Sequence, residues 1–354
     1  MLPITSERSQ SGRADPLLCD LGHTYCVGRR AASRARRSSW EGTVAASLRE
    51  RLKPHTLAGE LAAEFAGTLI LILFGIGVVA QVVAGKTGDH DSIAWAWGLG
   101  VVLGVYTAAR ISGAHLNPAV TVALAAFRGF SWRKVLPYSL AQTAGAFVAA
   151  LLVRWNYSEA LAGVDPGHTI KTQGVFSTLP GNGTLDVSTW GALRDQVIGT
   201  AILLFLILAV TDLRNSSPGV NLAPFIVGLI VVAIGMAWGT NAGYAINPAR
   251  DLGPRLASFL TGYGGAWRDQ NGDLYFWVPI LGPLIGGLVG AALYDLLIGR
   301  NLPVADEDAE PGRTPTDPGD GAGAGPDGTP TDGYGSDGPQ ARREPVRPSA
   351  QEQG

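Results

Sequence analysis

The tripeptide Asn-Pro-Ala occurs twice, at Asn117-Pro118-Ala119 and Asn247-Pro248-Ala249, 130 positions apart (247 − 117). Each copy opens a short apolar segment, 118–127 and 248–261. At about 1.5 Å per residue such a segment crosses only part of a hydrocarbon core about 30 Å thick. Asn is a strong N-cap, and Pro fits the first helical position, where its missing N–H costs nothing. Two such starts inside a membrane chain predict two half-helices with their positive ends in the membrane interior. That arrangement handles a polar solute and points to a pore.

The rest of the chain fits a membrane setting. Of 354 residues, 46% are hydrophobic and only 16% charged. Six stretches are long and apolar enough to span: 57–83, 93–111, 133–155, 193–213, 222–239 and 275–298. The predicted fold is an all-α membrane protein of six transmembrane helices plus two half-helices in an inverted repeat. The predicted domains are a basic disordered tail over 1–55, a channel domain over 56–302 and a low-complexity disordered tail over 303–354.

The halves match beyond the tripeptide. Glu64-x-x-Gly67-Thr68 pairs with Gln196-x-x-Gly199-Thr200, and Gly98-Leu99-x-Val101-Val102 with Gly228-Leu229-x-Val231-Val232. An odd number of spans per half inverts the second copy, and inverted repeats place a shared site near the midplane. Gly100-x-x-x-Gly104 and Gly282-x-x-x-Gly286 read as helix-packing positions.

Charge fixes an orientation. With both termini cytoplasmic, the internal connections hold Arg110, Arg128, Arg133, Lys134 and Arg214, while the external ones hold chiefly Lys86, Lys171 and Arg268. The stretch 156–192 is then an external loop. The Arg-rich N-terminal tail reads as a cytoplasmic flank beside anionic lipid, with no nucleic-acid partner expected. No apolar h-region precedes residue 57, so no signal peptide is expected. Cys19 and Cys26, with His23 nearby, are too few for a metal site and read as incidental thiols. No metal or other cofactor is expected.

The candidate site follows from the half-helices. Their N–H groups and dipoles make the midplane positive, and Asn117 and Asn247 use their carbonyls as caps, leaving NH₂ groups for a solute. Gly113-Ala114-His115-Leu116 and Gly243-Tyr244-Ala245-Ile246 are predicted to run extended to the midplane as a ladder of carbonyl acceptors, permitted at that depth only beside a cavity or within protein. Leu71, Val101, Leu203 and Val231 are the predicted aliphatic wall opposite. Arg250, close behind Asn247, is expensive at membrane depth and marks a pathway that repels cations. Glu64 is assigned to hold the first loop's N–H groups. Its counterpart Gln196 lacks the charge, which argues against a proton relay.

These residues resemble the major intrinsic protein (aquaporin) family, and within it the aquaglyceroporin or glycerol-facilitator branch. The resemblance covers about 57–302 and rests on Ser112-Gly113-Ala114-His115-Leu116-Asn117-Pro118-Ala119-Val120-Thr121 and on the run from Gly243 to Pro254. It implies one pore per subunit, four subunits per assembly, and a narrow filter at Trp97, Gly235, Tyr244 and Arg250. Asp251 directly after the filter Arg, and Pro283-Leu284 in the last span, go with glycerol conduction. Water-selective members tend to carry His where Gly235 stands. Tyr244 replaces the Phe of the familiar bacterial facilitator, and Gln196 replaces a Glu often found in the second repeat.

The function expected is a passive channel for glycerol and related small neutral solutes, with some water permeability and no enzymatic activity. The rivals are a mainly water-selective pore, an ion-coupled secondary transporter, and a membrane scaffold acting through its tails.

Overall fold

The computed structural model describes residues 56–303. Both tails expected at the sequence level, with Cys19, His23 and Cys26, lie outside the described residues apart from the first position of the C-terminal tail.

Ten α-helices follow in chain order among the described residues: α1 (Leu57–Val83), α2 (His90–Ser112), α3 (Pro118–Phe127), α4 (Trp132–Asn156), α5 (Ser158–Val164), α6 (Ile170–Gln173), α7 (Thr189–Thr211), α8 (Ala223–Ala242), α9 (Pro248–Leu260) and α10 (Val278–Leu297). Six of them, α1, α2, α4, α7, α8 and α10, are long and apolar enough to cross a bilayer. α3 and α9 are the half-helices, each with Pro in its first turn and Asn at its N-cap. The protein is all-α, with six helices of membrane-spanning length and two half-helices, as expected.

Helix starts follow local chemistry. Asp89 and Ser92 form a reciprocal capping box at α2, with bonds of 2.9 and 3.2 Å. Thr56 and Ser188 cap α1 and α7 through their hydroxyls.

Packing repeats with the sequence. α1 lies on α2 and α4, as α7 lies on α8 and α10. Each half-helix crosses to the other half: α9 packs on α4, and α3 on α10. The halves meet where α2 crosses α8. There the repeat-related Gly98 and Gly228 face each other, and a Cβ on either would come within 2.6 Å of the other's carbonyl oxygen. Only glycine fits both sides of that crossing. In lipid, where apolar burial gives helices little reason to associate, such backbone contact supplies dispersion energy.

The stretch 156–192 is folded into the molecule rather than forming a plain external loop. It carries α5, α6 and a short 3-10 turn, Pro180–Gly183. Val175, Phe176 and Leu179 are at most 1% exposed. Phe176 meets Tyr263 edge-on at 5.4 Å. Asp165 anchors the stretch by accepting from Thr169 N, at 2.7 Å, and from the hydroxyls of Thr169 and Thr172. Burial works against its charge, yet these bonds hold its carboxyl below the ordinary value.

Candidate functional site: the meeting of two half-helices

The two half-helices are tied tip to tip. Asn117 caps α3, accepting from Ala119 N at 2.9 Å, and its amide nitrogen donates to Ile246 O at 2.8 Å. Asn247 caps α9, accepting from Ala249 N at 3.0 Å and Arg250 N at 3.2 Å, and donates to Leu116 O at 2.8 Å. The expectation that both NH₂ groups stay free is corrected: each spends one hydrogen on the opposite repeat's loop. The second hydrogen of each amide is the one left over.

The loops before the tripeptides are not extended, which corrects the second expectation. Gly113, Ala114 and Leu116 have φ of 87°, 49° and 51°; Gly243, Tyr244 and Ile246 have 64°, 35° and 42°. The same three positions turn left-handed in both repeats. Four of the six are not glycine, a conformation costing about 1 kcal/mol or more per residue. Surrounding bonds impose it. Glu64, fully buried, accepts from Ser112 Oγ (2.6 Å), His115 N (2.9 Å), Leu116 N (2.7 Å) and Gln142 Nε2 (2.8 Å). Gln196 accepts from Ile246 N and donates to Ala242 O, both at 2.9 Å. His115 approaches Thr121 Oγ1 with Nδ1, at 3.2 Å, and lies against Phe130 and Tyr138.

Two cavities flank this junction. One, of about 490 Å³, has Leu71, Val101, Leu203 and Val231 on its aliphatic side, with Gly113 to Asn117 and Tyr244 to Asn247 along the backbone side. The other, of about 310 Å³, lies under the 157–188 segment and is lined by residues including His90, Lys171, Thr178, Asn182 and Gly243. The two share Trp97, Tyr244 and Arg250 in their walls, so these three form the neck between them.

The neck is tight and amphipathic. Trp97, Tyr244 and Arg250 are 3%, 6% and 7% exposed. The Arg250 guanidinium stands 4.1 Å from the centre of the Trp97 ring, a cation–π contact. Arg250 Nη1 and the Tyr244 hydroxyl are buried and have no hydrogen-bond partner among the described residues. Buried polar atoms are nearly always paired, so these two are unsatisfied hydrogen-bonding positions in the wall of the neck.

Gly235 is placed differently from the expectation. It lines neither cavity. The Tyr244 ring lies over it, and a Cβ there would meet Tyr244 Cζ at 3.0 Å. Its missing side chain lets the ring sit back. Gly75 does the same for Trp97, whose ring fills the place of a Cβ.

Asp251 does not pair with Arg250, nor does it line either cavity. It accepts from Thr178 N (2.8 Å), Thr178 Oγ1 (2.6 Å) and Arg255 Nε (2.7 Å). Arg255, 0% exposed, also donates to the carbonyls of Thr178 and Ala266. This pair locks α9 to the 157–188 segment. Sequence reasoning missed Arg255, although its i,i+4 spacing from Asp251 was a usable signal. It also missed His90, whose Nε2 lies 2.9 Å from Gly235 O and whose ring meets Tyr244 edge-on; nothing in the local sequence marks that role. Among the described residues no cluster of His, Cys, Asp or Glu could hold a metal.

Comparison with known proteins agrees with this geometry. The family described as Major intrinsic protein matches residues 51–294. The glycerol uptake facilitator protein of Escherichia coli (strain K12) is 43% identical over 258 residues, covering 70% of this chain and 91% of the relative. The propanediol uptake facilitator of Citrobacter freundii is 42% identical over 258 residues, covering 70% and 95%. Among solved structures, the aquaglyceroporin from Plasmodium falciparum has a TM-score of 0.62 at 33% identity, covering 69% of this chain and 97% of that one. The chain therefore belongs to the major intrinsic protein family, in the branch that holds the glycerol facilitators and aquaglyceroporins.

Proposed function

We propose that the chain is a passive transmembrane channel for glycerol and related small neutral solutes, with some water permeability, that excludes protons and ions. The observation that carries this is the neck between the two cavities. The Trp97 and Tyr244 rings suit a carbon backbone, while Arg250 Nη1 and the Tyr244 hydroxyl suit its oxygens. A polyol is amphipathic in the same way. Relatives named as glycerol and propanediol facilitators support the same solute class.

Each residue then has a task. Arg250 donates to solute hydroxyls and repels cations. The remaining N–H of Asn117 and of Asn247, with the two helix N-termini, donates to a solute at the midplane and sets an adverse field for a proton. Carbonyls of Gly113, Ala114, His115 and Gly243 to Ala245 accept along one wall. The carbonyls of Leu116 and Ile246 are taken by the asparagines. Gly235 acts through the room it leaves for Tyr244, and Glu64, Gln196 and Asp251 hold the loops. No cofactor is required.

The assembly proposed is a homotetramer in the cell (inner) membrane with both termini cytoplasmic. The charge of the connections supports that orientation, and no nucleic-acid partner belongs to this reading.

The test is labelled-glycerol uptake into proteoliposomes, with and without proton or sodium gradients. Uptake that is rapid, non-saturating and gradient-independent supports the channel. Uptake that stops when the gradients collapse identifies a coupled transporter instead. A scaffold acting through its tails takes up no glycerol.

A further inference from the structure

The two repeats hold their signature loops unequally. In the first, one carboxylate, Glu64, takes two consecutive loop N–H groups. In the second, Gln196 takes one, from Ile246, and spends its other arm on Ala242 O. The second loop is also the one that carries Tyr244 into the neck. Something else has to hold the chain where it leaves α8.

The 157–188 segment does so. Asn182, in the Pro180–Gly183 turn, donates from its amide nitrogen to Gly239 O at 3.0 Å and Thr240 O at 3.3 Å. The last four carbonyls of a helix lack partners inside it, and a side-chain donor there acts as a cap. Gly239 O already accepts from Gly243 N at 3.2 Å, so the Asn182 amide adds a second bond there and supplies a partner to Thr240 O, while Gln196 holds Ala242 O. The Asn182 carbonyl oxygen and the Thr178 side chain both lie close over Gly243, each 3.1 Å from where a Cβ would be. Thr178 is itself fixed by Asp251 and Arg255. Asn182 sits at φ 54°, a left-handed conformation that Asn adopts more readily than most residues.

We infer that Asn182 is a positioning residue for solute selection: capping α8 from the external segment, it fixes how Gly243 and Tyr244 enter the neck. It lines the smaller cavity and takes no part in the neck's walls. This inference rests on the reading that Trp97, Tyr244 and Arg250 form the selecting neck.

The experiment compares wild type, Asn182→Asp and Asn182→Gly as full-length protein in proteoliposomes. Both replacements tolerate φ near +54° and both remove the amide donor. The readouts are the erythritol-to-glycerol permeability ratio and hydrogen exchange at residues 240–246, with residues 112–117 as the internal reference. The expected result is a ratio raised about 3-fold or more. Exchange at 240–246 should be faster by about 5-fold, the order conferred by one hydrogen bond of about 1 kcal/mol, with the reference loop unchanged. Equal acceleration of both loops marks general loosening and overturns the inference, as does an unchanged ratio. If one variant fails to insert, the other decides. Gly235→Ala, which presses directly on Tyr244, separates the two levels. A ratio altered by Gly235→Ala but not by the Asn182 variants sinks the role of Asn182 alone; a ratio altered by none of them sinks the neck assignment itself.

Discussion

Asn117 and Asn247 each cap their own half-helix while donating, at 2.8 Å, to the backbone just ahead of the other. The exchange makes the two repeats one unit at the midplane. Asn117→Asp keeps the cap acceptor and the shape but loses the donor, and sets a carboxylate oxygen against Ile246 O. A loss of about 2 kcal/mol is expected for an unsatisfied buried group with repulsion added. It should read as a lowered unfolding temperature in detergent; an unchanged temperature would mean the cross-repeat bond contributes little.

Gly235→His should reduce glycerol permeability far more than water permeability. The new Cβ meets Tyr244 Cζ at 3.0 Å, so the ring must move toward the lumen. Overpacking of this kind costs about 1–3 kcal/mol, which corresponds to roughly a 5-fold to 150-fold loss of glycerol flux if spent in the neck. Parallel glycerol and water measurements on one preparation test the ratio.

Arg250→Val removes the neck's fixed cation and its free Nη1. Glycerol should still pass, while proton and small-cation leak should rise measurably above that of wild type. Dye-reported proton flux under an imposed potential is the check. An unaltered leak would assign ion exclusion to the half-helix dipoles and the asparagines alone.

Glu64→Gln places an amide among four donors: Ser112 Oγ, His115 N, Leu116 N and Gln142 Nε2. Bonds to a charged acceptor are worth about 1.5–3 kcal/mol each, and at least one donor is left facing another. The variant should be destabilised by about 3 kcal/mol or more and should lose glycerol and water flux together. A variant of normal stability would show that Glu64 does not impose the left-handed turns at Ala114 and Leu116.

Acid should act on the connection after α7 only well below neutral pH. The bond from Arg214 is the main reason the Asp212 carboxyl is lowered from 3.8 to about 2, with a smaller contribution from Tyr294. A depressed carboxylate stabilises fully above its ordinary value, and that share is lost as pH falls from about 4 toward 2. Between pH 5 and 8 this group contributes no pH dependence. Limited proteolysis of the 212–222 connection should therefore rise only below about pH 4, and Asp212→Asn should be equally susceptible throughout.

The membrane helices were legible because the bilayer sets a length and an apolar composition, which six segments satisfy. The half-helices were legible because Asn followed by Pro has one use at a helix start. The aliphatic wall of Leu71, Val101, Leu203 and Val231 follows from the repeat offset and lines the larger cavity. The left-handed turns at Ala114, Leu116, Tyr244 and Ile246 were not legible, because tertiary bonds override local preference there. Gly235 is a filter position by resemblance, yet the space it leaves is taken by Tyr244 from nine positions further on. The burial of 172–181 was hidden by a polar, glycine-containing sequence whose partners, Asp251, Arg255 and Tyr263, lie about 70 or more residues away.

The central claim is that a hydrated, glycerol-wide path passes Arg250 and runs beside the joined half-helix tips. Stopped-flow light scattering on proteoliposomes in a glycerol gradient tests it most directly. The account predicts rapid shrinkage from water efflux, then re-swelling much faster than in protein-free vesicles as glycerol enters. Shrinkage with re-swelling no faster than in protein-free vesicles would contradict it.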